Sequence, residues 1–251
     1  MKKLISIILI AVVVISCLGI MGSAASSKKS YWVTCKTAAD VLDFTLEGGK
    51  HAVPIRVVKA GLKKDGVVSW IYLVTLVGVE SGTKQNNNIE NCLKAGFGKT
   101  GEYFAEAKQI ILDKVPKGAN LVLAGHSLGG MTVQQLSADP ELKANYKILN
   151  TLTAGSPYIP VKEDREGTLH RLADRGDAIP WMSVGLVTDT HKMLKEVSWE
   201  DGGFIGDPDS AHNVSYRSND VWGAYDAFGE KGGNAVITFN HALVGIYGEA
   251  K

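Results

Sequence analysis

Hydrophobic and polar positions alternate along this chain in two rhythms. Residues 51–60 and 67–79 are rich in β-branched and apolar side chains and flank Lys63-Lys64-Asp65-Gly66, whose Asp-Gly pair signals a hairpin, so two strands are expected there. Residues 121–124 form a short apolar run of the buried-strand kind, and residues 146–154, 168–173 and 235–239 supply three more strand candidates. Other stretches carry a helical period. In residues 37–46, Ala38, Val41, Leu42 and Leu46 share one face, with Thr37 as the N-cap. In residues 101–115, Phe104, Ala107, Ile111 and Val115 recur on one face, Thr100 is the expected cap, and Pro116-Lys117-Gly118 ends the helix. Residues 81–91, polar and Asn-rich, read as a loop, residues 202–210 as another, and residues 229–234 as a Gly-rich turn. Strands alternating with helices predict a mainly parallel sheet with helices on both faces. With no internal repeat or dividing linker, residues 30–251 read as a single α/β domain.

Composition and charge narrow the function classes. The 251 residues carry a formal net charge of +1 with Lys and Arg scattered, which leaves no electrostatic footprint for nucleic acid. The first 25 residues are a targeting segment: Met1-Lys2-Lys3 supplies positive charge ahead of an apolar run over residues 4–15. Three readings stand side by side. Gly22, Ser23, Ala24 and Ala25 offer a signal-peptide cleavage site; Val14-Ile15-Ser16-Cys17 is similar to a lipobox that would leave Cys17 lipidated; residues 4–22 are just long enough to span a bilayer uncleaved. All three place the globular part outside the cytoplasm, secreted or attached to the membrane. In an oxidising compartment Cys35 and Cys92 either pair or stay as separate thiols, and their spacing does not choose.

Candidate chemistry centres on Gly125-His126-Ser127-Leu128-Gly129. An apolar run leads into Gly-x-Ser-x-Gly, and Val133 and Leu136 follow at helical spacing, so strand, sharp turn and helix are expected in that order. At such an elbow Ser127 stands exposed at the tip, Gly125 and Gly129 let strand and helix approach, and the Leu128 amide faces the place where an oxyanion would form. His126 is expected to point away from the serine in a structural role.

A serine hydroxyl needs a base, and the base needs an acid to orient it. In this topology both follow the serine in the order acid, then histidine. Of Asp174, Asp177, Asp189 and Asp207, Asp177 is best placed, in a tight turn after a strand and ahead of Ala178-Ile179-Pro180; Asp174 is expected to cap or to pair with an Arg. Among the downstream histidines, His170 reads as strand packing, His191 as surface and His241 as a core residue. His212, after the turn-rich Gly206-Asp207-Pro208-Asp209-Ser210, is the candidate base on a loop-like segment.

Taken in order, these pieces resemble the class 3 lipases, the α/β-hydrolase family that includes the fungal triacylglycerol lipases. Gly125-His126-Ser127-Leu128-Gly129-Gly130 is similar to their elbow, Ala95-Gly96-Phe97 to the start of the helix before it, and Ala154-Gly155-Ser156-Pro157 to their Gly-Ser-Pro strand end. Asp177-Ala178-Ile179-Pro180 resembles the segment of the triad acid, and His212-Asn213-Val214-Ser215-Tyr216 that of the triad base. The resemblance implies an α/β-hydrolase fold, a Ser127–Asp177–His212 triad, and Thr83 as the second oxyanion donor beside Leu128, with Ser81 as the alternative, because Ser81-Gly82-Thr83 aligns with the family's Arg-Gly-Thr or Arg-Gly-Ser, with Ser in place of Arg. It implies an exported serine esterase or lipase acting on carboxylic, foremost lipid acyl, esters. A phospholipase or acyltransferase would use the same triad, and a non-catalytic extracellular binding protein could share the fold. The polar stretch after Thr83 predicts no greasy lid. No cofactor is expected, since no H-E-x-x-H, Cys-x-x-Cys or phosphate-binding loop occurs. Nor is a metal: Asp207 and Asp209 are two carboxylates of a kind usually solvated.

Overall fold

The computed structural model describes residues 30–50, 54–79, 86–161, 164–182 and 197–248. In chain order the elements are β1 (Trp32–Cys35), α1 (Ala38–Lys50), β2 (Ile55–Lys64), β3 (Val67–Leu76), α2 (Ile89–Gly96), α3 (Glu102–Lys114), β4 (Asn120–His126), α4 (Leu128–Leu136), α5 (Pro140–Asn145), β5 (Lys147–Ala154), β6 (Thr168–Asp174), β7 (Val197–Glu200), α6 (Pro208–Asn213), α7 (Asn219–Trp222), β8 (Val236–Asn240) and β9 (Gly245–Tyr247). The β2–β3 hairpin turns through Asp65 and Gly66, both at positive φ, the geometry for which Asp-Gly is suited. Thr37 caps α1 as expected, its hydroxyl accepting from the Asp40 N–H.

The fold is mixed α/β. One nine-stranded sheet runs β1-β8-β2-β3-β4-β5-β6-β7, with β9 pairing the same edge of β2 as β8 does. From β3 to β7 every pair is parallel; β1, β8, β2 and β9 add an antiparallel flank. Helices cover both faces. On one, Ala38, Val41 and Leu42 of α1 meet Val58, Ala60 and Leu62 of β2, Val122 and Ala124 of β4, and Trp222. On the other, Tyr103, Ala107 and Ile111 of α3 and Met131, Val133 and Leu136 of α4 meet Val57, Leu121 and Leu123. Successive β4 residues thus enter opposite cores, which is why that strand reads as an unbroken apolar run.

Several expectations are corrected. Residues 81–91 are not all loop: α2 begins at Ile89, because Asn88 is its N-cap and accepts from the Asn91 N–H. Thr100 does not cap α3. Its N-cap is Gly101, without a side-chain bond of its own, and Asn91 Oδ1 accepts from the Tyr103 N–H instead. A Cβ on Gly101 would fall 2.1 Å from that oxygen, so the cap arriving from α2 demands glycine there. Residues 202–210 likewise contain the start of α6, with Asp207 as cap and Pro208 in the first turn. Cys35 and Cys92 are free thiols, and the sheet stands between them: Cys35 lies in the core under α1, Cys92 against the core under α3 and α4. Burial pushes the Cys35 thiol up to about 12. His241 is no core residue; it is half-buried and stacks on Tyr31 with ring centroids 4.5 Å apart. The targeting segment, His191, Asp189, Ser81 and Thr83 lie outside the described residues. Among the described residues, no helix is long and apolar enough to cross a membrane.

Candidate active site

The carboxyl ends of β3 to β6 converge on one edge of the sheet, where the chain leaves each strand for a loop. β4 delivers His126 and then Ser127, which opens α4 at φ 54 and ψ −123. This left-handed backbone is unusual for a residue with a Cβ, and sterically costly. It is held by a bond from the Ser127 N–H to the Ala154 carbonyl at 3.0 Å and by the first helical bond, Met131 N–H to Ser127 O, at 3.1 Å. The glycines explain the close turn. A Cβ on Gly125 would lie 2.4 Å from Gly129 O, and one on Gly129 would lie 2.2 Å from Leu76 O. The Ser127 hydroxyl makes no capping bond to the helix it begins.

β6 ends at Asp174, and a tight turn, closed by Asp177 N–H to Asp174 O, brings Asp177 into full burial. Three donors hold its carboxylate: Oδ1 accepts from the Ile179 N–H at 2.9 Å, and Oδ2 accepts from the Tyr216 hydroxyl and from His212 Nδ1, each at 2.8 Å. With that proton on Nδ1, His212 Nε2 keeps its lone pair. The His212 side chain is 16% exposed, enough for a reactant to reach it. His212 stands in the last turn of α6 rather than on a loop, so a short helix fixes its direction. Of the two roles expected of Asp174, capping is the one observed; among the described residues no ion pair joins it to an arginine. Its buried carboxylate accepts from the Gly176 and Gly202 N–H groups and from the Ser215 hydroxyl, tying the Asp177 turn to the segment after β7 and to the chain just past His212.

His126 joins these pieces. Its ring nitrogen Nε2 lies 2.8 Å from the His212 carbonyl oxygen, an acceptor, so Nε2 carries the proton and donates. Burial, then the neighbouring His212, lowers its pKa to about 3, and the ring stays neutral. Gly155, at φ 57, makes room for the whole group: a Cβ there would lie 3.0 Å from Asp177 Oδ2 and 3.1 Å from His126 Nε2.

Of the residues singled out from sequence, the structure joins Asp177 to His212 by a hydrogen bond and sets Ser127 next to His126, which holds the His212 backbone. Among the described residues no hydrogen bond links Ser127 to His212. Sequence reasoning missed Gly78, just past β3. A Cβ on Gly78 would lie 2.7 Å from Ser127 Cβ and 3.3 Å from its Oγ, so this backbone passes directly over the serine. It also missed Tyr216 as a second partner of Asp177, although Tyr216 closes the segment that resembles that of the triad base. Among the described residues no group of three His, Cys, Asp or Glu side chains is placed to hold a metal ion, and the Asp207 carboxylate is engaged as a helix cap.

No protein-family model, no curated protein and no solved structure matches this chain.

Proposed function

We propose that this chain is an exported serine hydrolase of the α/β-hydrolase fold, similar to the class 3 lipases, that cleaves carboxylic esters, lipid acyl esters foremost. The observation that carries this reading is Ser127 in left-handed geometry at a strand-to-helix turn, on the same sheet edge as a His212 oriented by buried Asp177. That is the arrangement acyl transfer requires.

In this reading substrate brings Ser127 Oγ and His212 Nε2 into hydrogen-bond contact, a tightening usual in Michaelis complexes. His212 takes the hydroxyl proton as Oγ attacks the ester carbonyl carbon, and Asp177 stabilises the resulting imidazolium. The oxyanion is received by the Leu128 N–H and by an N–H of the Gly78–Val79 backbone. Gly78 is the described residue packed on Ser127; Thr83, to which the resemblance gives this role, lies outside the described residues. Collapse passes the His212 proton to the leaving alkoxide. Water, deprotonated by the same histidine, then releases the acid and restores Ser127.

The test is labelling with a fluorophosphonate, followed by mapping of the adduct. Phosphonylation of Ser127 in the wild type, lost in His212→Ala, supports an activated serine. An unlabelled Ser127 in folded protein would favour a non-catalytic binding protein. A series of p-nitrophenyl esters of rising chain length then sets the acyl preference.

A further inference from the structure

The backbone that crosses Ser127 meets a buried polar side chain at each of two consecutive carbonyls. Tyr103, fully buried at the start of α3, places its hydroxyl 3.0 Å from the Pro54 carbonyl and 3.1 Å from that of Val77. Asn87, fully buried ahead of α2, donates from Nδ2 to the Gly78 carbonyl at 2.9 Å. The carbonyl can only accept, so the amide end facing it is the NH2 group. A trans peptide points its N–H opposite to its C=O. Holding the Gly78 oxygen therefore aims the Val79 N–H, while on the preceding peptide the Tyr103 hydroxyl shares its one proton between the Val77 oxygen and that of Pro54. Among the described residues the Val79 N–H has no hydrogen-bond acceptor. A held donor beside a nucleophile, without an acceptor among the described residues, is what a developing oxyanion needs, since a donor already oriented need not reorganise as charge appears.

Asn87 carries a second mark. Its Oδ1 is buried and has no hydrogen-bond partner. An unpaired buried amide oxygen is destabilising, and an apolar side chain of the same shape would avoid it. What the asparagine supplies in exchange is the bond at its other end.

We propose that Asn87 is a positioning residue that orients the Gly78–Val79 peptide as the second oxyanion donor. This rests on the hydrolase reading above. Asn87 touches neither the serine nor the substrate in this role; it acts through the backbone.

The experiment compares Asn87→Ala and the near-isosteric Asn87→Leu, which has no donor to offer the Gly78 carbonyl, with Asn91→Ala. Asn91 is buried in the same segment and bonds the Tyr103 N–H and Asn88, but makes no bond to Gly78. Each is assayed for kcat and KM on p-nitrophenyl butyrate, for the affinity of a boronic acid that forms a tetrahedral adduct on serine, and for Tm. The expected result is a kcat lowered about 10- to 100-fold in both Asn87 variants at near-constant KM, with boronate affinity falling in step. Asn91→Ala should lose Tm without that split. If Asn87→Ala fails to fold, Asn87→Leu alone is decisive, since it keeps the shape and has no donor. Wild-type kcat in a folded Asn87 variant, or the same kcat loss in Asn91→Ala, overturns the assignment while leaving the hydrolase reading intact. A wild type that fluorophosphonate does not label at Ser127 overturns both.

Discussion

The imidazole of His126 donates a hydrogen bond to the backbone carbonyl of His212 at 2.8 Å, with the two rings 4.5 Å apart. The elbow residue before Ser127 therefore holds the chain that carries the proposed base, and it does so as a neutral ring. Its pKa, near 3 in the folded protein against an ordinary 6.5, fixes the pH consequence. Between these values the unfolded chain binds a proton that the folded chain does not, so folding stability falls as pH drops through this window. The slope approaches about 1.4 kcal/mol per pH unit for one proton. In His126→Gln, which keeps an N–H donor but cannot titrate, the fall in urea midpoint between pH 7 and pH 4 should shrink. An unchanged fall would mean that another group governs acid lability.

His212 and His241 separate by position. His212 is bonded to buried Asp177, whereas His241 stacks on Tyr31 beside β1 and β8. His212→Ala should lose about as much ester turnover as Ser127→Ala, several orders of magnitude, because members of a triad fail as a unit. His241→Ala should keep turnover within about threefold and cost at most about 1 kcal/mol, the scale of one exposed-edge ring contact. Steady-state kinetics beside circular dichroism decides; an inactive, folded His241→Ala with an active His212→Ala would reverse the roles.

Gly78→Ala should disable the site without unfolding the protein. The new methyl would sit 2.7 Å from Ser127 Cβ and 3.4 Å from His126 Nδ1, a clash only a shift of the serine or of the crossing backbone can relieve. A displacement on the order of 1 Å at the reacting group costs about 100-fold in rate. The measurement is kcat/KM with Tm; full activity would show that the segment is free to move aside.

How much of this could be read from the residues alone follows a physical line. Signals local to a few residues were legible: the Asp65-Gly66 turn, the Thr37 cap, the β4 run into the elbow, and the acid-then-histidine order. What misled was capping chemistry. Asn88 and Asp207 are turn formers that here open α2 and α6, and the residues after them are too short a run to show a helical period. Asn91 was hidden for another reason, since it caps a different helix from the one it belongs to. Gly78 lay beyond sequence reach altogether. Nothing in Val77-Gly78-Val79 announces that the chain will cross the serine; that is a property of β3 and β4 lying side by side. Thr83, inferred from a motif offset, lies outside the described residues, whereas the strand end nearer the serine brings Gly78 to it.

The outward side of α2 bears on substrate presentation. Leu93 and Phe97 are exposed, 59% and 70%, but Glu90 and Lys94 beside them are ion-paired at 2.7 Å and keep that surface polar. A helix that opens on lipid needs a broad apolar stripe, which two side chains do not make. Hydrolysis of a short-chain ester should therefore rise smoothly with monomer concentration through its solubility limit. A sharp increase as droplets form would assign α2, or a segment outside the described residues, the part of an interfacial lid.

The antiparallel flank sets an order of assembly. β8 is wedged between β1 and β2, and Thr34 and Thr238, whose hydroxyls meet across it, are 204 positions apart. During synthesis β1 has no strand to pair with until residues 236–240 have been made, and the outer edge of β2 stays bare equally long. Contacts of such sequence separation form late, because loop closure precedes any gain from pairing. The sheet from β2 to β7 can thus form as its own strands emerge, and the flank closes over its bare edge last.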